Sequence, residues 1–232
     1  MSGAMPAGAP YVVSQRFDDL GLDGAPRRVG IFGGTFDPVH VGHICAAYAV
    51  HRAFDLDAVV FMPSGVPAFK QQTVVASPAD RFAMCDMAAH EYHYPYFDAS
   101  NMETRREGVS YTIDTLRAVR AHYPENVEIV FILGVDALLS LLKWRAPDDL
   151  KSLASFIVLS RPGYELRDNL REQLREQGFH VTELDNVGVD VSSSEVRARL
   201  AKGLSVEGYI PRVVNSYIAE KGLYQGPAKE GL

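Results

Sequence analysis

Two histidines stand three residues apart in GGTFDPVHVGH, Gly33 to His43, directly after the apolar run Val29-Gly30-Ile31-Phe32. Imidazoles at this spacing can bind a metal, move a proton or hold an anion. A zinc site is poorly supported, because Cys45 or His51 would have to bend in from a helical face to supply a third ligand. Simple packing of two satisfied rings is the bland reading. A phosphate site explains more of the context. Gly33 and Gly34 end a strand and let a ligand approach the backbone. Gly42-His43 opens a helical pattern whose first amides suit an anion. Neither G-x-G-x-x-G nor a P-loop GK[ST] follows.

Such rings must be held by a scaffold, and the rest of the chain supplies its pattern. Short β-branched runs at Val29–Phe32, Ala58–Met62, Val127–Leu133, Phe156–Ser160 and, more weakly, Phe179–Thr182 read as strands. Between and after them, 42–54, 79–89, 112–122, 166–177, 194–201 and 212–220 read as helices. The alternation predicts an α/β, Rossmann-like doubly wound fold. Its sheet is mostly parallel with helices on both faces, in a single domain with a small C-terminal helical part. Residues 1–27, rich in Gly, Ala, Pro and Asp, read as a mobile or loosely packed extension. The domain is expected over 28–225, with 226–232 as a tail. The loop from Pro63 to Pro78 follows the second strand and falls where open α/β sheets bind ligands.

The chain has 232 residues, 47% hydrophobic and 22% charged, enough for a sizeable core. A net charge of −6 argues against broad nucleic-acid binding. No run is long enough for a membrane span, and MSGAMPAGAP lacks the layout of a secretory signal. Cys45 and Cys85 form no CxxC and sit in apolar helical patterns, so buried free thiols in a reducing cytoplasm are expected. The acidic surface does not decide between a monomer and a homo-oligomer.

GTFDPVHVGH resembles the HxGH signature of the α/β nucleotidyltransferases, and Val191-Ser192-Ser193-Ser194-Glu195-Val196-Arg197 is similar to their second signature, ISSTxIR. Gly108–Leu116, Gly134-Val135-Asp136, Trp144, Ser160-Arg161-Pro162-Gly163 and the tail Gly222-Leu223-Tyr224 resemble the bacterial nicotinate-mononucleotide adenylyltransferases. The resemblance runs from Arg28 to about Gln225. It implies transfer of the adenylyl group of ATP to nicotinate mononucleotide, giving deamido-NAD and pyrophosphate in NAD biosynthesis.

The resemblance also implies roles. His40 and His43 would meet the ATP phosphates, and a ring facing phosphate favours its cationic form. Ser192, Ser193 and Arg197 would hold the β- and γ-phosphates, with Ser194 as N-cap of the helix behind them. Gly33, Gly34, Thr35 and Phe36 line the nucleotide junction, Thr35 and Phe36 through backbone as much as side chain. Asp136 after Gly134 would take the ribose, a helix cap being the alternative. Tyr111, Thr112 and Trp144 fall on the nicotinate ring and carboxylate, with Phe36 and Lys70 beside the mononucleotide. Lys70 stands in Pro67-Ala68-Phe69-Lys70, where the family reads Pro-Pro-His-Lys, so the loop departs at Phe69. His40, His43, Lys70 and Arg197 are the catalytic candidates. Arg81 in the helix start after Ser77 reads as structural. Mg²⁺ would travel on the ATP phosphates, with no protein metal ligand assigned. The competing readings are a same-fold adenylyltransferase for another phosphate, such as nicotinamide mononucleotide or phosphopantetheine, and a non-catalytic nucleotide sensor.

Overall fold

The computed structural model describes residues 13–67, 74–160, 168–185 and 189–226. Lys70, Phe69 and Arg161 to Gly163 lie outside them. Six parallel strands form the main sheet: β1 (Arg27–Gly34), β2 (Ala58–Pro63), β4 (Phe97–Ala99), β6 (Val127–Gly134), β7 (Ser155–Leu159) and β8 (Val181–Leu184). Their order is β4-β2-β1-β6-β7-β8. The chain builds outward from β1 in one direction, returns, and builds outward from β6 in the other. The β1/β6 boundary is therefore the topological switch point, and a crevice opens at the carboxyl ends of these strands. A separate two-stranded parallel pair, β3 (Val66–Pro67) with β5 (Val109–Ser110), lies beside it.

All six residues of β2 are buried, and so are six of the eight in β6. Near-continuous apolar strands of this kind need cover on both faces. One face packs on α1 (Val41–Ala53), α2 (Pro78–Glu91) and α8 (Arg212–Lys221) through Val50, Met84, Val214 and Ile218. The other packs on α3 (Thr112–His122) and α5 (Pro147–Leu153) through Leu116 and Leu150. The remaining helices are a short α4 (Val135–Leu138), α6 (Asp168–Glu176) and α7 (Ser193–Ala201). Caps set their limits. The Ser77 hydroxyl accepts the Asp80 amide with Pro78 beginning α2, and Gly222 in the left-handed region ends α8.

Residues 13–26, the described part of the expected loose extension, are instead packed on the domain. Val13 is fully buried, Ser14 donates to the Asp98 carboxylate on β4, and Asn126 donates to the Gly21 and Ala25 carbonyls. Arg16 satisfies the Tyr94 and Phe97 carbonyls. A segment with little periodicity is held here by a few scattered apolar side chains, Val13, Phe17 and Leu20, and by polar bonds to distant elements, neither of which forms a periodic pattern. The cysteines also differ from expectation. Both are unpaired, but only Cys85 is buried, while Cys45 is exposed on α1. Burial pushes the Cys85 thiol well above its ordinary range. Among the described residues no helix is long and apolar enough to cross a membrane.

Candidate active site

A cleft of about 990 Å³ opens at the carboxyl ends of β1, β2 and β6. The β1 side brings Gly33, Gly34, Thr35 and Phe36 to it, and the start of α1 brings His40 and His43. Gly134 and Asp136 enter from the end of β6, and Ser192, Ser193 and Arg197 from the start of α7. Tyr111 and Thr112, at the start of α3, and Trp144 close the far side. Every described residue singled out from the sequence as a site residue thus faces one cavity.

The two signatures touch. The Ser193 hydroxyl donates to the Pro38 carbonyl at 2.8 Å, and Arg197 Nη1 donates to the Asp37 carbonyl at 2.7 Å. Arg197 Nη2 also reaches Ser194 Oγ at 3.3 Å. The N-cap of α7 is Ser192, two residues earlier than expected: its hydroxyl accepts the Glu195 amide at 3.2 Å, and Ser194 lies in the first turn of the helix.

His40 is the N-cap of α1 and His43 its third residue. Their rings stack at 3.6 Å between centroids, and His40 is 6% exposed. The His40 amide donates to His43 Nδ1 at 3.2 Å. That bond uses the Nδ1 lone pair and leaves the ring proton on Nε2. The edge of Phe36 steers the ring further, at 4.8 Å.

The double glycine also has a packing cause beside the one expected. A Cβ at Gly33 would lie 2.5 Å from the tip of the Phe131 ring, and one at Gly34 2.7 Å from Phe36. These glycines make room for two aromatic rings first. Gly134 has open space where a Cβ would stand, so close backbone approach is available there instead. Phe36 is 2% exposed and packs against Phe32 and Phe61, leaving its backbone for any ligand. It holds φ of 51°, an uncommon conformation for a side chain of this size.

On the far side, Tyr111 is the N-cap of α3 but supplies no side-chain cap. Its ring lies 5.0 Å under the Arg145 guanidinium. Thr112, the first residue of α3, lines the cleft. Trp144 is half-buried, its indole N–H bonded to Ser140 Oγ at 2.9 Å and its ring edge-on to Phe131. Asp136 sits exposed in the first turn of α4, whose N-cap is Gly134.

Residue-type reasoning missed the supports. The Asp37 carboxylate, 3% exposed, accepts the Val75 and Ala76 amides and the Tyr224 hydroxyl, the last at 2.7 Å. Burial and Asp37 push the Tyr224 hydroxyl far above its usual range. The wholly buried Arg81 donates to the Thr35, Gly65 and Ala76 carbonyls, and desolvation lowers its pKa. An acid next to proline inside the histidine signature was the one available signal for Asp37. Asp86, His90 and Asp98 are the one group of three candidate metal ligands among the described residues, and they lie outside the cleft.

A parallel sheet with its crevice at the switch point, and two signatures meeting there, define a nucleotidyltransferase. Residues 31–199 match the cytidylyltransferase-like family. The chain is 36% identical over 209 residues to a probable nicotinate-nucleotide adenylyltransferase of Desulfitobacterium hafniense, covering 89% of this chain and all of that one. It is 43% identical to one of Frankia alni, over 84% of this chain and all of that one. Plasmodium falciparum nicotinic acid mononucleotide adenylyltransferase complexed with NaAD has the same fold, with TM-score 0.71 and 17% identity over 85% of this chain and 97% of that one. The chain belongs to the nicotinate-nucleotide adenylyltransferases, within the cytidylyltransferase-like family.

Proposed function

We propose that the cleft binds ATP and nicotinate mononucleotide together and joins them into nicotinate adenine dinucleotide, with release of pyrophosphate. The observation that carries this reading is the direct bonding of Ser193 and Arg197 to the Asp37-Pro38 turn, beside His43. The names of the relatives supply the substrate pair.

The nucleophile is an oxygen of the mononucleotide phosphate, whose second pKa of about 6 leaves it largely dianionic at neutral pH. No general base is required. The barrier is repulsion between two anions and the charge growing at the α-phosphorus, and fixed donors answer both. In this reading His43 donates from Nε2 toward the α-phosphate, and His40 supports it from the helix start. Arg197, Ser192, Ser193 and the first amides of α7 take the β- and γ-phosphates. The open backbone at Gly134 and the Asp136 carboxylate receive the ribose, while Thr35 and Phe36 offer backbone groups. Thr112 and Tyr111 present the start of α3 to the nicotinate carboxylate, and Trp144 offers its ring to the pyridine. Lys70, outside the described residues, keeps its proposed role as a phosphate contact.

The carboxylates of the cleft fit a Mg²⁺ carried by substrate oxygens and water. Asp37 is fully engaged and Glu103 buried, and among the described residues the exposed Asp136 and Asp190 remain. Such an ion neutralises triphosphate charge. The proposed setting is the cytoplasm, supported by two unpaired thiols.

The test is pyrophosphate release with ATP and Mg²⁺ and, in turn, nicotinate mononucleotide, nicotinamide mononucleotide and phosphopantetheine. The expected order puts nicotinate mononucleotide first by a wide margin. A faster rate with phosphopantetheine, or none with any acceptor, overturns the reading.

A further inference from the structure

A buried carboxyl group that the reaction does not use stands behind the start of α3. Glu103 is 7% exposed, and its carboxyl lies among three groups. The Thr115 hydroxyl, in the first turns of α3, donates to Oε1 at 2.6 Å. The Ser110 hydroxyl, two residues before the helix, lies close enough to stabilise the carboxylate form of the same group. Arg106 lies close enough to stabilise its charge and donates to Thr115 Oγ1 at 3.3 Å. Glu103 thus holds α3 through Thr115 and sits beside Ser110, on either side of the uncapped N-terminus at Tyr111-Thr112.

The same network reaches the nucleotide side. Ser110 Oγ accepts the Gly65 amide at 3.0 Å, and the Gly65 carbonyl accepts Arg81, which also holds the Thr35 carbonyl. A Cβ at Gly65 would lie 2.3 Å from the Glu103 carbonyl oxygen, so the two main chains are in contact. Freed of Glu103, α3 would keep its helical bonds, but its first amides would lose their fixed direction.

We propose that Glu103 is a positioning residue that aims the first amides of α3 at the carboxylate of the pyridine substrate, and so sets discrimination between the acid and the amide mononucleotide. This rests on the reading that α3 faces the mononucleotide. Polar groups fixed by a buried partner discriminate better than mobile ones, because a misdirected amide loses its bond to the charged carboxylate. The amide substrate lacks that charge and depends less on the geometry.

The test compares Glu103→Gln, Glu103→Ala, Thr115→Ser and Thr115→Val, with KM for nicotinate mononucleotide, nicotinamide mononucleotide and ATP measured separately. Glu103→Ala and Thr115→Val should raise KM for the acid substrate by about tenfold or more, because small misplacements are costly. KM for ATP should stay within about twofold, and the acid-to-amide preference should fall in step. Glu103→Gln and Thr115→Ser keep an acceptor and a hydroxyl, and should stay near the wild-type preference. An unchanged preference in both disruptive variants, or KM for ATP rising in parallel, overturns the proposal. If Glu103→Ala fails to fold, Thr115→Val against Thr115→Ser decides. Wild-type turnover of nicotinate mononucleotide, run alongside, reports on the parent reading independently.

Discussion

Arg197 donates to the main-chain carbonyl of Asp37 at 2.7 Å across 160 positions of sequence. The bond joins the second signature to the first through backbone, so the guanidinium is aimed before any phosphate arrives. Its side chain is 22% exposed, with donor capacity left beyond the bonds to Asp37 and Ser194. Arg197→Ala should lower kcat/KM for ATP by roughly 10²-fold, as expected for a phosphate donor in a sheltered site. Arg197→Lys should recover little, because one ammonium cannot hold the carbonyl and a phosphate as a planar fork does. Steady-state kinetics with ATP varied checks both.

His43 is locked by the His40 amide on one nitrogen and by Phe36 on its edge. His43→Ala should cut kcat by about 10²–10³-fold, the usual cost of one transition-state donor. Far-ultraviolet circular dichroism should remain that of the wild type. A near-normal rate would remove His43 from the chemistry.

Gly33→Ala should destabilise the fold by about 1–3 kcal/mol, the cost of overpacking, because the new methyl meets the Phe131 ring. In a Phe131→Leu background the loss should shrink. Urea unfolding of the four proteins gives the coupling.

Tyr224→Phe removes one of the donors to the buried Asp37 carboxylate. The two backbone amides remain, so a loss of about 1–2 kcal/mol is expected. At this chain length that lowers Tm by roughly 2–8 °C. Calorimetry measures it.

Burial raises the Glu103 pKa, against smaller opposing effects from Thr115 and Arg106. A raised carboxyl contributes most to stability below its unfolded pKa, and that contribution is lost as pH rises through the folded value. Glu103→Gln has no such dependence. Its stability relative to wild type should therefore rise between about pH 4 and neutrality. Paired urea titrations across that range should show the difference growing with pH, and a constant difference would contradict it.

Much of this architecture was legible from local pattern. The runs that became β1, β2 and β6 are apolar but for Glu128, and both signatures carry residue types suited to phosphate at helix starts. Strands too short for periodicity were not legible. Phe97–Ala99, Val66–Pro67 and Val109–Ser110 take their pairing from neighbours rather than from their own residues. The packed segment before β1 escaped notice because isolated apolar side chains and polar bonds to distant elements hold it, with no periodic pattern.

The sequence by itself determined the alternation of strands and helices, the two phosphate signatures and the family, since these depend on residue type and spacing along the chain. Only the tertiary structure decided that Gly33 and Gly34 make room for aromatic rings, that Asp37 gathers donors from three separate segments, and that the His40 amide meets Nδ1 of His43. Each of those depends on which distant atoms fill the space around a group, and packing sets that only when the chain has closed.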